Sequence, residues 1–291
     1  SGCGSLAEKD QTVYLWNAEK GGFIRQFARH NKPVSKTAIS ADGKRTLSSS
    51  RDGTINIWQR EVDASWHRVL YRQDLLGISL DRRHVYGQAG RDLVVSDASS
   101  GEPVKTLKDR VVMAVSSNSR KAVAAVGETL EIIDLQTFKP LRYLPVKLLE
   151  MKASNIKLDR DGKHAVLLDQ HSILSYWNLE SAACLAKIPV PSKRIQSLML
   201  CTNPPAAFWF NDMGKTLQTW QIENNKTGAC LQLPGYSSFE RILDEAGTYL
   251  LAAIKDEGKK QYLSLWHLPS KKCLAAYPLS SPPKALDVSL N

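Results

Sequence analysis

A strand-like segment recurs seven times along this chain, and its spacing constrains the fold more than any other feature. It reads TVYLW at Trp16, TINIW at Trp58, LVVSD at Ser96 and LEIID at Ile133. It returns as LSYWN at Trp177, LQTWQ at Trp220 and LSLWH at Trp266, with intervals of 37 to 46 residues. A period of about 40–45 residues suits a unit of four short strands repeated in tandem. A polar turn follows each landmark, then another short strand: GGFIRQF, EPVKTL, FKPLRYL, AACLAKI, GACLQL and KCLAAY. Three of these carry a cysteine at the same relative place: Cys184, Cys230 and Cys273.

One unit shows the local causes. Pro33–Ser40 alternates apolar and polar residues over strand length, the pattern of a half-buried strand. Asp42-Gly43 and Asp52-Gly53 are hairpin dipeptides, because glycine tolerates the positive φ that such turns need. TINIW alternates again and is rich in β-branched residues, and a fourth strand is expected around Trp66–Tyr71.

The segment from His30 to Trp58 resembles a WD repeat, and the resemblance extends weakly over nearly the whole chain. It implies an all-β fold: a seven-bladed β-propeller of four-stranded antiparallel blades, expected as one domain over residues 1–291. It also implies a buried hydrogen-bonded set that maps by position to His30, Ser48, Asp52 and Trp58. The other units lack the histidine, and those around Ser96 and Ile133 lack the tryptophan as well. The final aspartate of the WD dipeptide survives as Asp97 and Asp134.

The chain ends bear on closure. Lys284–Asn291 alternates like a first strand, and SGCGS resembles the end of a second strand such as LSSS. Together they are expected to complete a closing blade shared by the N- and C-termini, which removes exposed sheet edges. The competing reading takes Ser1–Cys3 as the remnant of a lipoprotein signal, with a lipid anchor at Cys3.

Chemistry is sparse. The sequence holds no HExxH, Gly-rich phosphate loop, GxSxG elbow or EF-hand loop, so no enzyme activity, cofactor or metal site is expected. The histidines lack ligand spacing, and five cysteines without a close pair suit a reducing compartment, the cytoplasm. No apolar run approaches the ~18 residues of a membrane-spanning helix.

Charge points to partners. With 39 Lys and Arg against 29 Asp and Glu, the formal charge is +10, which favours acidic partners. Cations outnumber carboxylates in the loops leading into the blades. The expected function is a non-enzymatic scaffold that docks an acidic peptide or protein on that face, with Arg51, Arg91, Arg110, Lys193 and Arg194 as contacts, since arginine pairs carboxylates bidentately. Two alternatives remain: RNA binding by the same face, and a bacterial envelope lipoprotein of the periplasm or outer membrane acting in an assembly or secretion complex.

Overall fold

The computed structural model describes residues 2–5, 11–16, 23–39, 44–52, 54–59, 66–70, 74–79, 81, 83–98, 100–116, 118–146, 151–190, 195–211, 215–235, 241–244, 246–255, 258, 260–279 and 285–288. Among the described residues, the regular elements are 28 strands in seven four-stranded antiparallel sheets.

Blade 1 joins β1 (Gly2–Ser5), β2 (Thr12–Trp16) and β3 (Phe23–Ala28) to β28 (Ala285–Val288) from the far end of the chain. Blade 2 takes β4 (Val34–Ile39), β5 (Arg45–Ser50), β6 (Thr54–Gln59) and β7 (Trp66–Leu70). Blade 3 takes β8 (Asp74–Ile78), β9 (His84–Ala89), β10 (Asp92–Asp97) and β11 (Pro103–Leu107). Blade 4 takes β12 (Val111–Val115), β13 (Lys121–Val126), β14 (Thr129–Asp134) and β15 (Lys139–Leu144). Blade 5 takes β16 (Met151–Leu158), β17 (His164–Asp169), β18 (Ile173–Asn178) and β19 (Ala183–Pro189). Blade 6 takes β20 (Gln196–Thr202), β21 (Pro205–Asn211), β22 (Thr216–Gln221) and β23 (Lys226–Gln232). Blade 7 takes β24 (Arg241–Leu243), β25 (Tyr249–Lys255), β26 (Gln261–His267) and β27 (Lys272–Leu279).

Every recurring landmark lies on the third strand of its blade. The closing blade is shared as expected: β1 pairs β2 on one side, with Cys3 opposite Leu15, and β28 on the other, with Cys3 opposite Asp287. The innermost strands run side by side around an axis, with β28 beside both β4 and β24, and β16 beside both β12 and β20. The molecule is a seven-bladed β-propeller.

Burial follows from position within the blade. The second and third strands are sandwiched between neighbouring blades, so RTLSSS of β5 is largely buried on both faces although Leu47 is its single apolar residue. The fourth strands lie outermost; β19 alternates exposed and half-buried residues, and most of β15 is exposed. Apolar seams join consecutive blades. Leu47, Ile55 and Ile57 pack with Ile78 and Val85, and Val166 and Tyr176 pack with Trp209 and Trp220. Each such side chain withdrawn from water contributes about 1.5–3 kcal/mol. Phe208, Trp209 and Phe210 are all buried, so none of this aromatic run reaches the surface.

A recurrent irregularity was not expected. Opposite the landmark, the fourth strand skips one residue in five blades: Ile24, Val104, Leu141, Leu185 and Leu274. Such a β-bulge leaves the extra residue unpaired and re-aims its side chain. Val104, Leu141, Leu185 and Leu274 are accordingly about half exposed on the outer rim.

Antiparallel order fixes two faces. Inter-blade loops and the turns between second and third strands open on one face. Hairpins joining first to second strands, and third to fourth, open on the other.

Candidate functional site

The loop leading into β4 is pinned by a chain of side-chain hydrogen bonds. His30 Nε2 lies 2.8 Å from Ser48 Oγ on β5, and Trp58 Nε1 on β6 donates to the same oxygen at 2.9 Å. His30 Nδ1 lies 3.0 Å from Asp52 Oδ2 in the β5–β6 turn. One proton assignment satisfies all three contacts: the indole N–H to Ser48 Oγ, the serine proton to His30 Nε2, and the Nδ1 proton to Asp52. The structure thus brings His30, Ser48, Asp52 and Trp58 together and ties loop, second strand, turn and third strand into one body. Asn56 Nδ2 sits 3.3 Å from both ring nitrogens.

Asp52 also accepts from the Asn31 and Thr54 amides at 3.1 and 2.9 Å. Burial opposes its ionisation, but hydrogen bonds from Thr54, Asn31 and His30 outweigh that and hold the carboxyl below the usual carboxylate range. The order Ser–His–Asp is also that of a hydrolase nucleophile and its base. Here Ser48 has 0% exposure and His30 4%. Ser48 Oγ already serves the indole, so an acyl carbon cannot reach it, and the set holds structure.

The other blades solve the same problem differently. In blade 5 the Trp177 indole donates to Ser175 Oγ at 2.8 Å, and in blade 7 Trp266 donates to Ser264 Oγ at 2.9 Å. Ser48 pairs across the strands with Asn56, whereas the corresponding pairs are Leu167 with Ser175 and Ala252 with Ser264. The hydroxyl has crossed from the second strand to the third. Blade 4 uses charge: Glu131 stands two residues before the landmark Ile133, as Asn56 stands before Trp58. Its buried carboxylate takes Arg110 Nε at 3.0 Å and Nη2 at 3.5 Å. Burying a lone carboxylate is costly and a close guanidinium offsets that cost. The neighbouring Tyr143 also bonds Glu131, which pushes its phenol up.

Of the expected contact residues, Arg51, Arg91 and Arg110 occupy the face of the inter-blade loops. Arg51 is exposed in the β5–β6 turn, and its backbone N–H donates to the Pro33 carbonyl at 3.0 Å. Arg91 holds the equivalent turn of blade 3, with its side chain 67% exposed and Nε 3.3 Å from an equally open Asp109. Such a surface pair contributes about 0–1 kcal/mol. Beside it Lys108 Nζ meets Asp92 at 2.7 Å. Arg110 sits on this face too, but its guanidinium is spent on Glu131 and on the Lys108 carbonyl. An incoming carboxylate would have to displace a buried one. Lys193 and Arg194 lie outside the described residues, as do Tyr236 and Phe239. Among the described residues no group of His, Cys, Asp and Glu could hold a metal ion.

Comparison with known proteins agrees with this architecture. Residues 21–59 match the family model of the WD domain, G-beta repeat. Telomerase protein component 1 of Rattus norvegicus is 24% identical over 253 residues, covering 81% of this chain and 9% of that protein. Apoptotic protease-activating factor 1 of Danio rerio is 24% identical over 229 residues, covering 75% of this chain and 18% of that protein. Periodic tryptophan protein 2 of Arabidopsis thaliana is 36% identical over 77 residues, 25% of this chain and 8% of that protein. The chain therefore spans less than a fifth of each of these relatives. Among solved structures, dihydro-heme d1 dehydrogenase NirN in complex with DHE superposes with a TM-score of 0.66 at 15% identity, covering 98% of this chain and 74% of that one. That likeness is one of fold.

Proposed function

We propose that this chain, a divergent WD-repeat β-propeller, is a non-enzymatic scaffold that docks an acidic peptide or protein on the face of its inter-blade loops. WD-repeat proteins are in general protein-interaction scaffolds, and residues 1–291 act in this reading as one such domain. The observation that carries the choice of face is the pair Arg51 and Arg91. They occupy equivalent turns of adjacent blades, and one is exposed while the other meets a solvent-facing Asp109. A partner carboxylate can replace Asp109 at little cost, and a bidentate arginine pair gains most where the rim excludes water. Arg110 supports the site from below by fixing the loop that carries Lys108 and Asp109.

The loops suit docking because their frame is rigid. The His30–Ser48–Asp52–Trp58 set holds the β4-leading loop against the β5–β6 turn, so Arg51 is presented in a fixed place. We place the protein in the cytoplasm. Cys184, Cys201, Cys230 and Cys273 are free thiols, and burial pushes the thiols of Cys184, Cys230 and Cys273 up, away from nucleophilic character.

Fluorescence anisotropy with a labelled polyglutamate peptide tests the reading. Binding that falls with salt and is lost in Arg51→Glu/Arg91→Glu supports it. Binding unchanged by that variant contradicts it.

A further inference from the structure

The opposite face carries a more regular set of cations. The hairpins joining first to second strands read GKRT in blade 2, DRRHV in blade 3, SRKAV in blade 4 and RDGKHA in blade 5, but NPPA in blade 6 and AGTY in blade 7. Four consecutive blades thus place Lys44, Arg83, Arg120, Arg160 and Lys163 in exposed positions on one side of the ring.

The hairpins of blades 3, 4 and 5 are shaped by a shared cap. The residue closing the first strand accepts amides at the start of the second. Ser116 Oγ takes Arg120 N and Lys121 N at 3.2 and 3.0 Å. Asp159 takes Lys163 N and His164 N at 2.8 and 3.1 Å. The hairpins of blades 4 and 5 are also tied together, because Asn118 N donates to the Arg160 carbonyl at 3.1 Å and Asn118 Nδ2 to Asp161 at 3.2 Å. The carboxylates here are turned to such bonds: Asp81 takes the Arg83 amide, and Asp159 takes His164 Nδ1 at 3.0 Å. Arg83, Arg120 and Lys163 stand exposed on a preorganised frame.

Rings alternate with them. The first residue of the second strand is Arg45, His84, Lys121 and His164 in blades 2 to 5, and Tyr249 in blade 7. His84 lies edge-on to Phe138, His164 stacks on Tyr176 at 5.2 Å, and Tyr249 lies 5.4 Å from His267. The side chains of His84 and His164 are about a quarter exposed and Tyr249 is 44% exposed. Cations interleaved with partly open rings suit a strand whose phosphates and bases alternate, and they suit an acidic peptide, which has no bases to stack, less well.

We infer that the first-to-second-strand hairpins of blades 2–5 form a binding surface for single-stranded nucleic acid. Arg83, Arg120, Arg160 and Lys163 contact the phosphates, and His84 and His164 offer stacking faces. This surface is distinct from the one proposed for the acidic partner, so either can fail alone.

The test uses the full chain with labelled oligouridylate and oligothymidylate in anisotropy titrations over a range of salt. Arg120→Glu/Lys163→Glu, and separately Arg83→Glu, are expected to weaken binding about tenfold and to lower the salt slope by about 0.7 for each lost phosphate contact. His84→Ala is expected to weaken binding at all salt concentrations, and Arg51→Glu/Arg91→Glu to leave it unchanged. A preference between the two oligonucleotides reports on the 2′-hydroxyl, and retention of either supports the inference. No retention at low salt overturns it, as does loss only in the Arg51/Arg91 variant. Polyglutamate competing as well as the oligonucleotides, with His84→Ala silent, also overturns it in favour of an acidic peptide.

Discussion

The imidazole of His30 and the indole of Trp58 meet on one oxygen, Ser48 Oγ, at 2.8 and 2.9 Å. Because that oxygen is buried, both rings lose this hydrogen bond together if the hydroxyl is removed. Ser48→Ala is therefore expected to destabilise the protein by about 2–4 kcal/mol, since each orphaned buried group costs about 1–3 kcal/mol. Urea denaturation measures this. Ser175→Ala, which orphans only the Trp177 indole, is expected to cost about half as much.

The Asp52 carboxyl is held below its ordinary value in the folded protein. A depressed carboxylate contributes stability that is present above the unfolded value of about 3.9 and is lost as pH falls through the folded value. Asp52→Asn should be less stable than the parent near pH 6, with the gap closing as the pH drops below about 4. Urea midpoints at several pH values check this. A gap that stays constant contradicts it.

Arg110 and Glu131 form a pair in which the carboxylate is nearly inaccessible. Arg110→Met strands a buried charge and is expected to cost about 3–5 kcal/mol, whereas Arg110→Met with Glu131→Leu recovers most of the loss. A thermal-melting cycle over the four proteins reads the coupling. Near-additive effects would mean that Arg110 is free to serve a partner.

Gly162 has φ of +66°, and a side chain there would press its Cβ to 2.7 Å from Lys121 Cβ. Gly162→Ala is expected to lower stability by about 1–2 kcal/mol through backbone strain and that clash. It should also loosen the tie between the hairpins of blades 4 and 5, read as faster amide exchange at Arg120 and Lys163.

Much of the architecture was legible because it repeats. Period, turn dipeptides and alternation placed the third strand of each blade, and Val34–Ile39 falls inside the stretch Pro33–Ser40 read as a strand. The resemblance of SGCGS to a second-strand tail located the closing blade. What the sequence hid depends on cross-strand register. Ser175 and Ser264 replace a serine on a different strand, and that exchange exists only once Leu167 and Ala252 are known to lie opposite them. Arg110 read as a surface cation because Glu131, distant in sequence, gave no sign of being its partner. The hairpin cations were hidden because Lys44, Arg83, Arg120 and Lys163 are scattered in the chain, and only the strand order of the blades brings them to one face.

The account rests on a ring in which the two ends of the chain share a blade. Cys3 and Asp287 are paired on adjacent antiparallel strands, where Cα atoms lie about 4.5–5.5 Å apart, within disulfide reach. With Cys184, Cys201, Cys230 and Cys273 replaced by alanine, Asp287→Cys should form an intramolecular bond to Cys3 on mild oxidation, seen as faster migration on a non-reducing gel. A protein that stays folded yet yields no such bond would contradict the closed propeller and, with it, both binding faces.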